Sequence, residues 1–461
     1  MVPRLQGSAV SIRRIFASAE PDRAPRSCSP RRSRPGREND ARMFHSDVSR
    51  HALCLLAALS ASTLLAGCAD DEALPPHEGD PVCSGWGDEA PADGVLELPR
   101  PTGPHPVGTQ IRALTDSARG EEATEDPDDR RELMVQLFYP ADPCGTGQLA
   151  PYLSPEEGDS RRTTGGLPAE DGFEARILTH ARVGVPVAED GAPHPVLLFS
   201  HGFGMLRADY TSLLEDLASH GFVVAAISHT YDTELTVFPD GRVVPFGSVV
   251  LTPAMDASEE EIEAFTQAMG EHVGVWADDA LFVLDELTAA AQDDPGGLLT
   301  GRLDLERLGV LGHSYGGAMA AEVCARDDRF DAGLDIDGRL FGPQDGAGRG
   351  LAQPFFIMLA ADHPDDPSID ETYGALNGQG YRARVEDTAH LTFSDLPIVV
   401  EHFLGEGALP ELLGTLEPAR AVEITNAYTR AFVQAHVRGE AAPLLDGPSP
   451  EYPEVTFEKR P

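Results

Sequence analysis

Between about residues 104 and 440, short apolar runs alternate with stretches in which apolar residues recur at helical spacing. The runs that indicate strands are RELMVQLFYP (131–140), PVLLFSHG (195–202), FVVAAISH (222–229), RLGVLGHS (307–314), FDAGLDI (330–336) and QPFFIMLA (353–360). The segments with helical spacing are 206–217, 280–287, 318–325 and 418–439. Strands that are apolar throughout need both faces covered, which is typical of a parallel sheet between two layers of helices. The pattern therefore predicts a mostly parallel α/β domain over 104–440.

The leader, residues 1–67, has a different pattern. Residues 1–42 are rich in Arg, Ser and Pro without an apolar period, so we expect them to be disordered or to precede the native start. Residues 43–67 contain an Arg and then a short apolar run, which is typical of a secretory signal. Cys68 follows, and the sequence LAGC resembles the lipobox of bacterial lipoproteins, with a plain signal peptide as the alternative. Residues 68–103 are acidic and rich in Pro and Gly, which predicts a flexible tether.

The cysteines fit an exported protein, since an oxidising compartment lets cysteines pair. Cys83 lies in the tether and Cys144 in the domain, so a disulfide between them would pin one to the other. Cys324 lies on a predicted helix, and we expect it to be a small core residue rather than a reactive thiol.

Two further segments do not continue the alternation of strands and helices. Residues 233–275 are interpreted as an insertion, which could form a lid over the site. Residues 441–461 follow the last predicted helix, and we expect a C-terminal tail. Neither an internal repeat nor a transmembrane helix is indicated within the α/β domain.

The pentapeptide Gly312-His313-Ser314-Tyr315-Gly316 lies where a predicted strand turns directly into a predicted helix. Such a turn presents the Ser hydroxyl above the carboxyl edge of the sheet, and the two glycines avoid clashes where strand and helix converge. The N–H of Tyr315 then lies at a helix N-terminus, where the dipole favours developing negative charge. We therefore predict that Ser314 is a nucleophile rather than a serine of an ordinary glycine-rich turn.

A nucleophilic serine needs a histidine as base and an acid that orients it, and in this class of fold the chain order is Ser, acid, His. The histidines beyond Ser314 are His363, His390, His402 and His436. His402 and His436 lie in helix-like segments, and His363 follows an apolar strand too early for the usual position. His390 follows a short strand on a polar loop, so it is the predicted base.

The acid has two candidates. Asp337 follows the strand FDAGLDI, and Asp362 follows the strand FFIMLAA. Both residues would lie at the carboxyl edge of the sheet, and the residue pattern alone prefers neither.

The net charge of the chain limits the kinds of molecule that it can bind. The chain carries a formal net charge of −41. An acidic surface of this size repels nucleic acid and anionic lipid, so a neutral or zwitterionic substrate fits better. The acidic loop DHPDD (362–366) could hold a cation, but a solvated loop is the simpler interpretation. We expect no metal and no cofactor.

Several of these segments together resemble the plasma-type (isoform II) platelet-activating factor acetylhydrolases and their bacterial relatives. The segments that carry the resemblance are VQLFYPA, HPVLLFSHGFG, LRADYTSLLEDLASHGFVVAAISH, GHSYGG, DDRFDAGLDIDGRLFGP and HLTFSDLP, in that order. They cover roughly residues 106–402 and are far more specific than the pentapeptide alone.

The resemblance implies an α/β-hydrolase fold and calcium-independent, metal-free hydrolysis of short or oxidised acyl chains at the second position of glycerophospholipids. It places the acid at Asp337 rather than Asp362 and the base at His390. It also implies an oxyanion hole formed by the backbone N–H groups of Phe203 and Tyr315.

Two other functions fit the same residues. One is a general carboxylesterase or a polyester (cutinase-like) hydrolase with the same machinery. The other is a non-catalytic surface lipoprotein on a hydrolase scaffold. In each case we expect a monomer without a nucleic-acid partner, exported to the bacterial cell envelope and anchored to a membrane by lipid on Cys68.

Overall fold

The computed structural model describes residues 92–164, 167, 172–253, 257–341 and 350–460. The leader, Cys68 and Cys83 lie outside these residues. Cys144 is disulfide-bonded, and its pairing with Cys83 stays a prediction. Cys324 is a buried free thiol, as expected for a core residue. Among the helices of the described ranges, none combines the length and the apolar character that crossing a membrane requires.

Strands and helices alternate along the described chain, as the apolar pattern predicts. The strands are β1 (Leu96–Glu97), β2 (Val107–Gly120), β3 (Arg130–Pro140), β4 (Leu149–Pro151), β5 (Ile177–Val183), β6 (His194–Ser200), β7 (Val223–His229), β8 (Leu235–Val237), β9 (Val243–Pro245), β10 (Leu303–His313), β11 (Ala332–Ile336), β12 (Phe355–Ala360), β13 (Gly380–Val385) and β14 (Val455–Arg460). The α-helices are α1 (Pro155–Thr164), α2 (Thr211–Ser219), α3 (Glu259–Gln292), α4 (Tyr315–Arg326), α5 (Pro367–Ala375), α6 (Leu396–Leu404), α7 (Pro410–Leu413) and α8 (Pro418–His436). The short 3₁₀ helices are Phe173–Arg176, Arg207–Tyr210, His390–Phe393 and Pro443–Asp446.

One large sheet organises the described residues. Its strand order is β1-β5-β2-β3-β7-β6-β10-β11-β12-β13-β14, and β4 pairs with β5. The central strands from β7 to β13 are all parallel, whereas β3 and β14 pair antiparallel at either side of them. The carboxyl ends of the central strands therefore meet at one edge, where such folds place their sites. β8 and β9 form a separate hairpin.

The sheet is covered on both faces, which explains why its strands are apolar throughout. In β6, Leu197 and Phe199 belong to the apolar core that includes residues of α2 and α8. The alternate residues Val196 and Leu198 belong to the core formed with α3 and α4. Because side chains alternate between the faces of a strand, each strand contributes to both layers. The predicted α/β-hydrolase architecture is confirmed.

Helix α3 is much longer than the predicted segment 280–287. It begins after Ser258, whose side chain accepts a hydrogen bond from the N–H of Glu261 in a reciprocal capping box. From Met269 onward its apolar residues recur every three or four positions and are buried. The described part of the segment 233–275 therefore includes the β8–β9 hairpin and the first half of this helix, and the role of the segment as a lid stays a prediction.

Two predicted boundaries need correction. The segment 441–461 is not a tail, because β14 pairs along its whole length with β13 and buries Val455 and Phe457. The segment 68–103 is not wholly a flexible tether, because Leu96 and Glu97 form β1 beside β5. Both strands are short and lie at sheet edges, so neither produces a pattern long enough to recognise in the sequence.

Candidate active site

Ser314 lies between the end of β10 and the start of α4, as predicted. Its backbone has φ 56° and ψ −118°, a strained conformation for a residue with a side chain. A Cβ on Gly312 would lie 2.3 Å from the carbonyl carbon of Gly316. A Cβ on Gly316 would lie 2.2 Å from the carbonyl oxygen of Ser200 on β6. Both glycines are thus steric requirements of the turn that presents Ser314.

His390 lies within hydrogen-bonding distance of Ser314 and Asp337 at once. Its Nε2 is 2.9 Å from the Oγ of Ser314, and its Nδ1 is 2.7 Å from Oδ2 of Asp337. Since the carboxylate can only accept, Nδ1 carries the proton and Nε2 is free to accept the proton of the Ser hydroxyl. His390 starts a 3₁₀ helix after β13, with 17% of its side chain exposed. The structure therefore brings together the three residues that the sequence singles out.

Asp337 follows β11 with φ 55° and is almost completely buried. Its Oδ1 accepts hydrogen bonds from the N–H of Ala360 (2.7 Å) and from Nδ1 of His363 (2.9 Å). Burial alone would raise the pKa of Asp337, but the hydrogen bonds from His363 and His390 outweigh it and hold the pKa well below its usual range. Asp337 is thus a fixed negative charge beside His390. Asp362, the other candidate acid, makes no hydrogen bond to His390 in the described chain.

His313, the residue before Ser314, holds the backbone of His390 in place. Its Nε2 donates to the carbonyl oxygen of His390 (2.8 Å), and its Nδ1 accepts from the hydroxyl of Tyr210 (2.8 Å). That hydroxyl in turn accepts from the N–H of Gly202 (3.1 Å). Burial, assisted by the neighbouring His390, lowers the pKa of His313 to about 3, so its ring is neutral. The pentapeptide did not reveal this role, because the partner residues are distant in sequence.

The two predicted oxyanion-hole residues, Phe203 and Tyr315, lie close to Ser314 and to each other. The backbone N–H groups of Phe203 and Tyr315 make no hydrogen bond to another described residue. A Cβ on Gly202 would come within 3.3 Å of the Cβ of Ser314, so the loop that contains Phe203 passes directly beside Ser314. Tyr315 is the first residue of α4, where the helix dipole adds to the attraction for an anion.

The side chains of Phe203 and Tyr315 belong to a cluster of aromatic rings. The ring of Phe203 packs edge-to-face against Phe246, with centroids 5.4 Å apart, and against Tyr315, at 5.6 Å. Tyr315 also packs against Phe341 at 5.8 Å. Phe203, Phe246 and Phe341 are partly exposed. An aromatic surface therefore lies beside the candidate oxyanion hole.

A second Ser–His–Asp arrangement lies in the interior nearby. Nε2 of His229 is 2.9 Å from the Oγ of Ser200, and its Nδ1 is 2.8 Å from Oδ2 of Asp279. Arg131 forms an ion pair with Asp279 (2.7 Å), and Trp276 stacks on His229 with centroids 3.7 Å apart. All five residues are buried. Sequence reasoning missed this cluster, because Asp279 comes from the middle of α3.

The three histidines that were not predicted to be the base have different surroundings. His402 and His436, which the sequence places in helix-like segments, contact Phe403 and Tyr381 respectively. His363, which sequence reasoning rejected as the base, instead lies on the far side of Asp337 from His390. Its place directly after an apolar strand was the available signal, because strand ends meet at the edge where the site lies.

In the acidic loop after β12, the carboxylate of Asp366 makes both a hydrogen bond and an ion pair. Asp366 caps α5 through the N–H of Ser368 and forms an ion pair with Arg339 at 3.1 Å. Across the described ranges, no group of three or more His, Cys, Asp or Glu residues is arranged to hold a metal ion.

The sequence was compared with models of known protein families, and one family matches most of the chain. The family model described as platelet-activating factor acetylhydrolase, isoform II, matches residues 91–238 and 297–441. The chain belongs to this family. The intervening residues 239–296, which include β9 and α3, lie outside the match.

Individual relatives agree with this assignment. A probable 1-alkyl-2-acetylglycerophosphocholine esterase from Arthroderma benhamiae is 28% identical, over 78% of this chain and 93% of its own length. Platelet-activating factor acetylhydrolase from Bos taurus is 25% identical, over 54% of this chain and 58% of its own length. The solved structure of a ferulic acid esterase from Streptomyces cinnamoneus is 35% identical with a TM-score of 0.65, covering 78% of this chain and 99% of that one. This member of the acetylhydrolase family is a carboxylic ester hydrolase.

Proposed function

We propose that this protein hydrolyses short-chain carboxylic esters through an acyl-enzyme on Ser314. The lead substrate is the acetyl or short acyl ester at the second position of a platelet-activating-factor-like phospholipid. The observation that carries the proposal is the continuous hydrogen-bonded chain from Ser314 through His390 to Asp337.

Each residue has a distinct part in the reaction. Nε2 of His390 takes the proton of Ser314 as Oγ attacks the ester carbonyl carbon, and Asp337 stabilises the resulting imidazolium. The N–H groups of Phe203 and Tyr315 hold the oxyanion of the tetrahedral intermediate. When the ester C–O bond breaks, His390 returns the proton to the leaving alcohol. Water, deprotonated by His390, then attacks the acyl carbon. The acyl C–O bond to Ser314 breaks, the acid leaves, and His390 returns the proton to Oγ of Ser314.

The choice of a phospholipid rests on the family and on charge. The family model and the relatives from Arthroderma benhamiae and Bos taurus carry names that refer to this class of ester. A zwitterionic headgroup also suits a chain with a formal net charge of −41 better than an anionic one does.

A second candidate is a general carboxylesterase that prefers aromatic esters. It is favoured by the partly exposed rings of Phe203, Phe246 and Phe341, which pack with the buried Tyr315, and by the likeness to the ferulic acid esterase. A polyester hydrolase would use the same surface. A non-catalytic lipoprotein is the least favoured, because all three triad residues are in place.

A panel of esters tests which of these substrates the protein prefers. The purified chain would be assayed with an acetylated ether phospholipid, its long-chain counterpart, methyl ferulate, p-nitrophenyl acetate and a polyester film. We expect the highest kcat/KM with the acetylated phospholipid and a fall of at least about 100-fold for the long acyl chain. Faster turnover of methyl ferulate or of the polyester film would contradict the phospholipid as the lead substrate. If no ester is turned over, the esterase proposal is rejected.

We also propose that the protein acts as a monomer in the bacterial cell envelope, anchored by lipid on Cys68. The support is the sequence LAGC after a short apolar run, since a multiply acylated cysteine anchors stably. Expressed in a bacterium fed an alkyne fatty acid, the wild-type chain should take up the label and Cys68→Ala should not. Equal labelling of both chains, or an unmodified N-terminus beyond Cys68, would contradict the anchor.

A further inference from the structure

Two imidazole rings bind the same carboxylate in the candidate triad. His390 uses Oδ2 of Asp337 at 2.7 Å, and His363 uses Oδ1 at 2.9 Å. The N–H of Ala360 also donates to Oδ1, at 2.7 Å. The acid therefore receives three hydrogen bonds, and the two on Oδ1 fix the carboxylate plane so that Oδ2 faces His390.

The burial of His363 fixes its contact with Asp337. Its Nδ1 must carry a proton in order to donate to the carboxylate. Its side chain is only 6% exposed, and its Nε2 is buried without a partner among the described residues. His363 is thus a buried hydrogen-bond donor whose described side-chain partner is Asp337.

His363 also separates Asp337 from solvent. It lines a cleft of about 510 Å³ whose wall includes Asp365, Asp366 and Arg384. The Asp337 side chain behind it is only 1% exposed. Without the imidazole, water in the cleft could reach Oδ1 and compete for the carboxylate.

Among the described residues, the other charged groups near this pair do not hydrogen-bond to the carboxylate of Asp337. The titratable and charged groups around it are Asp335 on β11, His313 on β10, Asp362, Asp365 and Asp366 after β12, Arg384 on β13, and His390. Burial, with the neighbouring charge of Asp337, raises the pKa of Asp335 far above its usual range. Arg384 is bound to the carbonyl oxygens of Ala360 and Ala361. In the described chain, the side-chain hydrogen bonds that stabilise the Asp337 charge come from the two imidazoles.

We propose that His363 is a positioning residue of the esterase: it orients Asp337 and limits how strongly that carboxylate favours the protonated form of His390. The inference rests on the proposed role of Ser314, His390 and Asp337. It does not depend on which ester is the natural substrate.

Two substitutions separate this role from simple packing. His363→Asn keeps an N–H donor near the position of Nδ1, whereas His363→Leu keeps a comparable volume without a donor. Both variants and the wild type would be assayed with p-nitrophenyl acetate across pH 4–9, with thermal unfolding measured in parallel. Wild-type turnover that is absent in Ser314→Ala first establishes the reaction, so failure of the proposed function is recognised separately.

For His363→Leu we expect kcat to fall about tenfold with little change in KM, because a hydrogen bond to a charged group is lost. Asp337 then acts more strongly on His390 and favours its protonated form. The acid limb of the kcat/KM profile should therefore move up by about half a pH unit or more. His363→Asn should restore most of kcat and return the limb toward its wild-type position.

Two results would overturn the proposal. One is an unchanged kcat and acid limb in His363→Leu. The other is an equal loss in both variants that follows their melting temperatures, with no shift of the acid limb, which would assign His363 to packing alone.

Discussion

Two Ser–His–Asp chains of nearly identical geometry lie close together in this molecule. The exposed triad is Ser314–His390–Asp337, and the buried triad is Ser200–His229–Asp279. Their Ser–His distances are both 2.9 Å, and their His–Asp distances are 2.7 and 2.8 Å respectively. Hydrogen-bond geometry therefore does not tell a candidate catalytic group from a structural one.

Access and backbone conformation do distinguish them. Ser314 is partly exposed and lies in a strained turn at a helix N-terminus. It lies beside the N–H groups of Phe203 and Tyr315, which bind no other residue in the described ranges. Ser200 is completely buried at the end of β6, and its carbonyl oxygen packs against Gly316. No ester can approach Ser200, whereas the turn at Ser314 places its hydroxyl where a carbonyl group could be attacked.

The charge around each acid also differs. Asp279 lies between two arginines, with ion pairs of 2.7 Å to Arg131 and 2.8 Å to Arg119. Asp337 is held by histidines and a backbone N–H instead. A carboxylate already neutralised by guanidinium groups stabilises an imidazolium less. The buried triad is thus suited to fixing the strand that leads into the Phe203 loop, and the exposed triad is suited to proton transfer.

The largest expected effect comes from exchanging the two serines for alanine. Ser314→Ala should lower kcat by roughly 10⁶-fold, because the nucleophile is lost. Ser200→Ala should keep kcat within about tenfold of the wild type, since it removes only a buried hydrogen bond. Steady-state kinetics with p-nitrophenyl acetate measures kcat of both variants. A similar loss of kcat in the two would contradict the assignment of different roles to the two triads.

Exchanging the two acids for asparagine should separate turnover from stability. Asp337→Asn should reduce kcat by roughly 10⁴-fold with a modest change in stability, because the wrong tautomer of His390 is favoured. Asp279→Asn should instead cost about 3–5 kcal/mol of unfolding free energy, because Arg131 and Arg119 lose their buried counter-charge. Kinetics and urea unfolding report the two quantities. The matched control Asp362→Asn should change neither, and a large loss of kcat there would move the acid to Asp362.

A smaller effect is expected at His313. His313→Leu should lower kcat about tenfold, because the hydrogen bond that holds the backbone of His390 is lost. His313→Gln can still donate near the position of Nε2, so it should retain more of the activity. Equal kinetics in both variants would show that this hydrogen bond does not position His390.

The smallest effect is the acid dependence of stability. Burial alone would raise the pKa of Asp279, but Arg131 and His229 outweigh it and lower that pKa. A depressed folded pKa stabilises the protein above the unfolded value of about 3.9, and this contribution is lost as pH falls through the folded value. The difference in unfolding free energy between wild type and Asp279→Asn should therefore be constant above about pH 5 and shrink below about pH 4. Urea unfolding at several pH values measures it, and a difference that grows toward acid would have the wrong sign.

The sequence predicts the exposed triad better than its surroundings. Ser314 and His390 are recognisable because a strand-to-helix turn and a polar loop leave local patterns. The choice between Asp337 and Asp362 is not local, because both follow apolar strands and only the turn at Asp337, with φ 55°, aims its carboxylate at His390. The place of His363 after an apolar strand indicates the edge of the sheet, but its contact with Asp337 depends on the register of β11 against β12.

The buried triad could not be predicted from the sequence. Its histidine ends an ordinary apolar strand, and Asp279 looks like one more acidic residue of a long helix. Only packing of α3 against β7 brings them together. The edge strands β1 and β14 were missed for a similar reason, since a short strand depends on its neighbour more than on its own pattern.

The most direct test of the account is the site of labelling by a fluorophosphonate, which modifies an activated serine. The wild-type protein would be labelled to completion, digested and analysed by peptide mass spectrometry, with Ser314→Ala and Ser200→Ala in parallel. We expect one adduct per chain, on the peptide that contains Ser314, in the wild type and in Ser200→Ala, and none in Ser314→Ala. An adduct on Ser200, or an unlabelled wild-type chain, would contradict the assignment of the exposed triad as the active site.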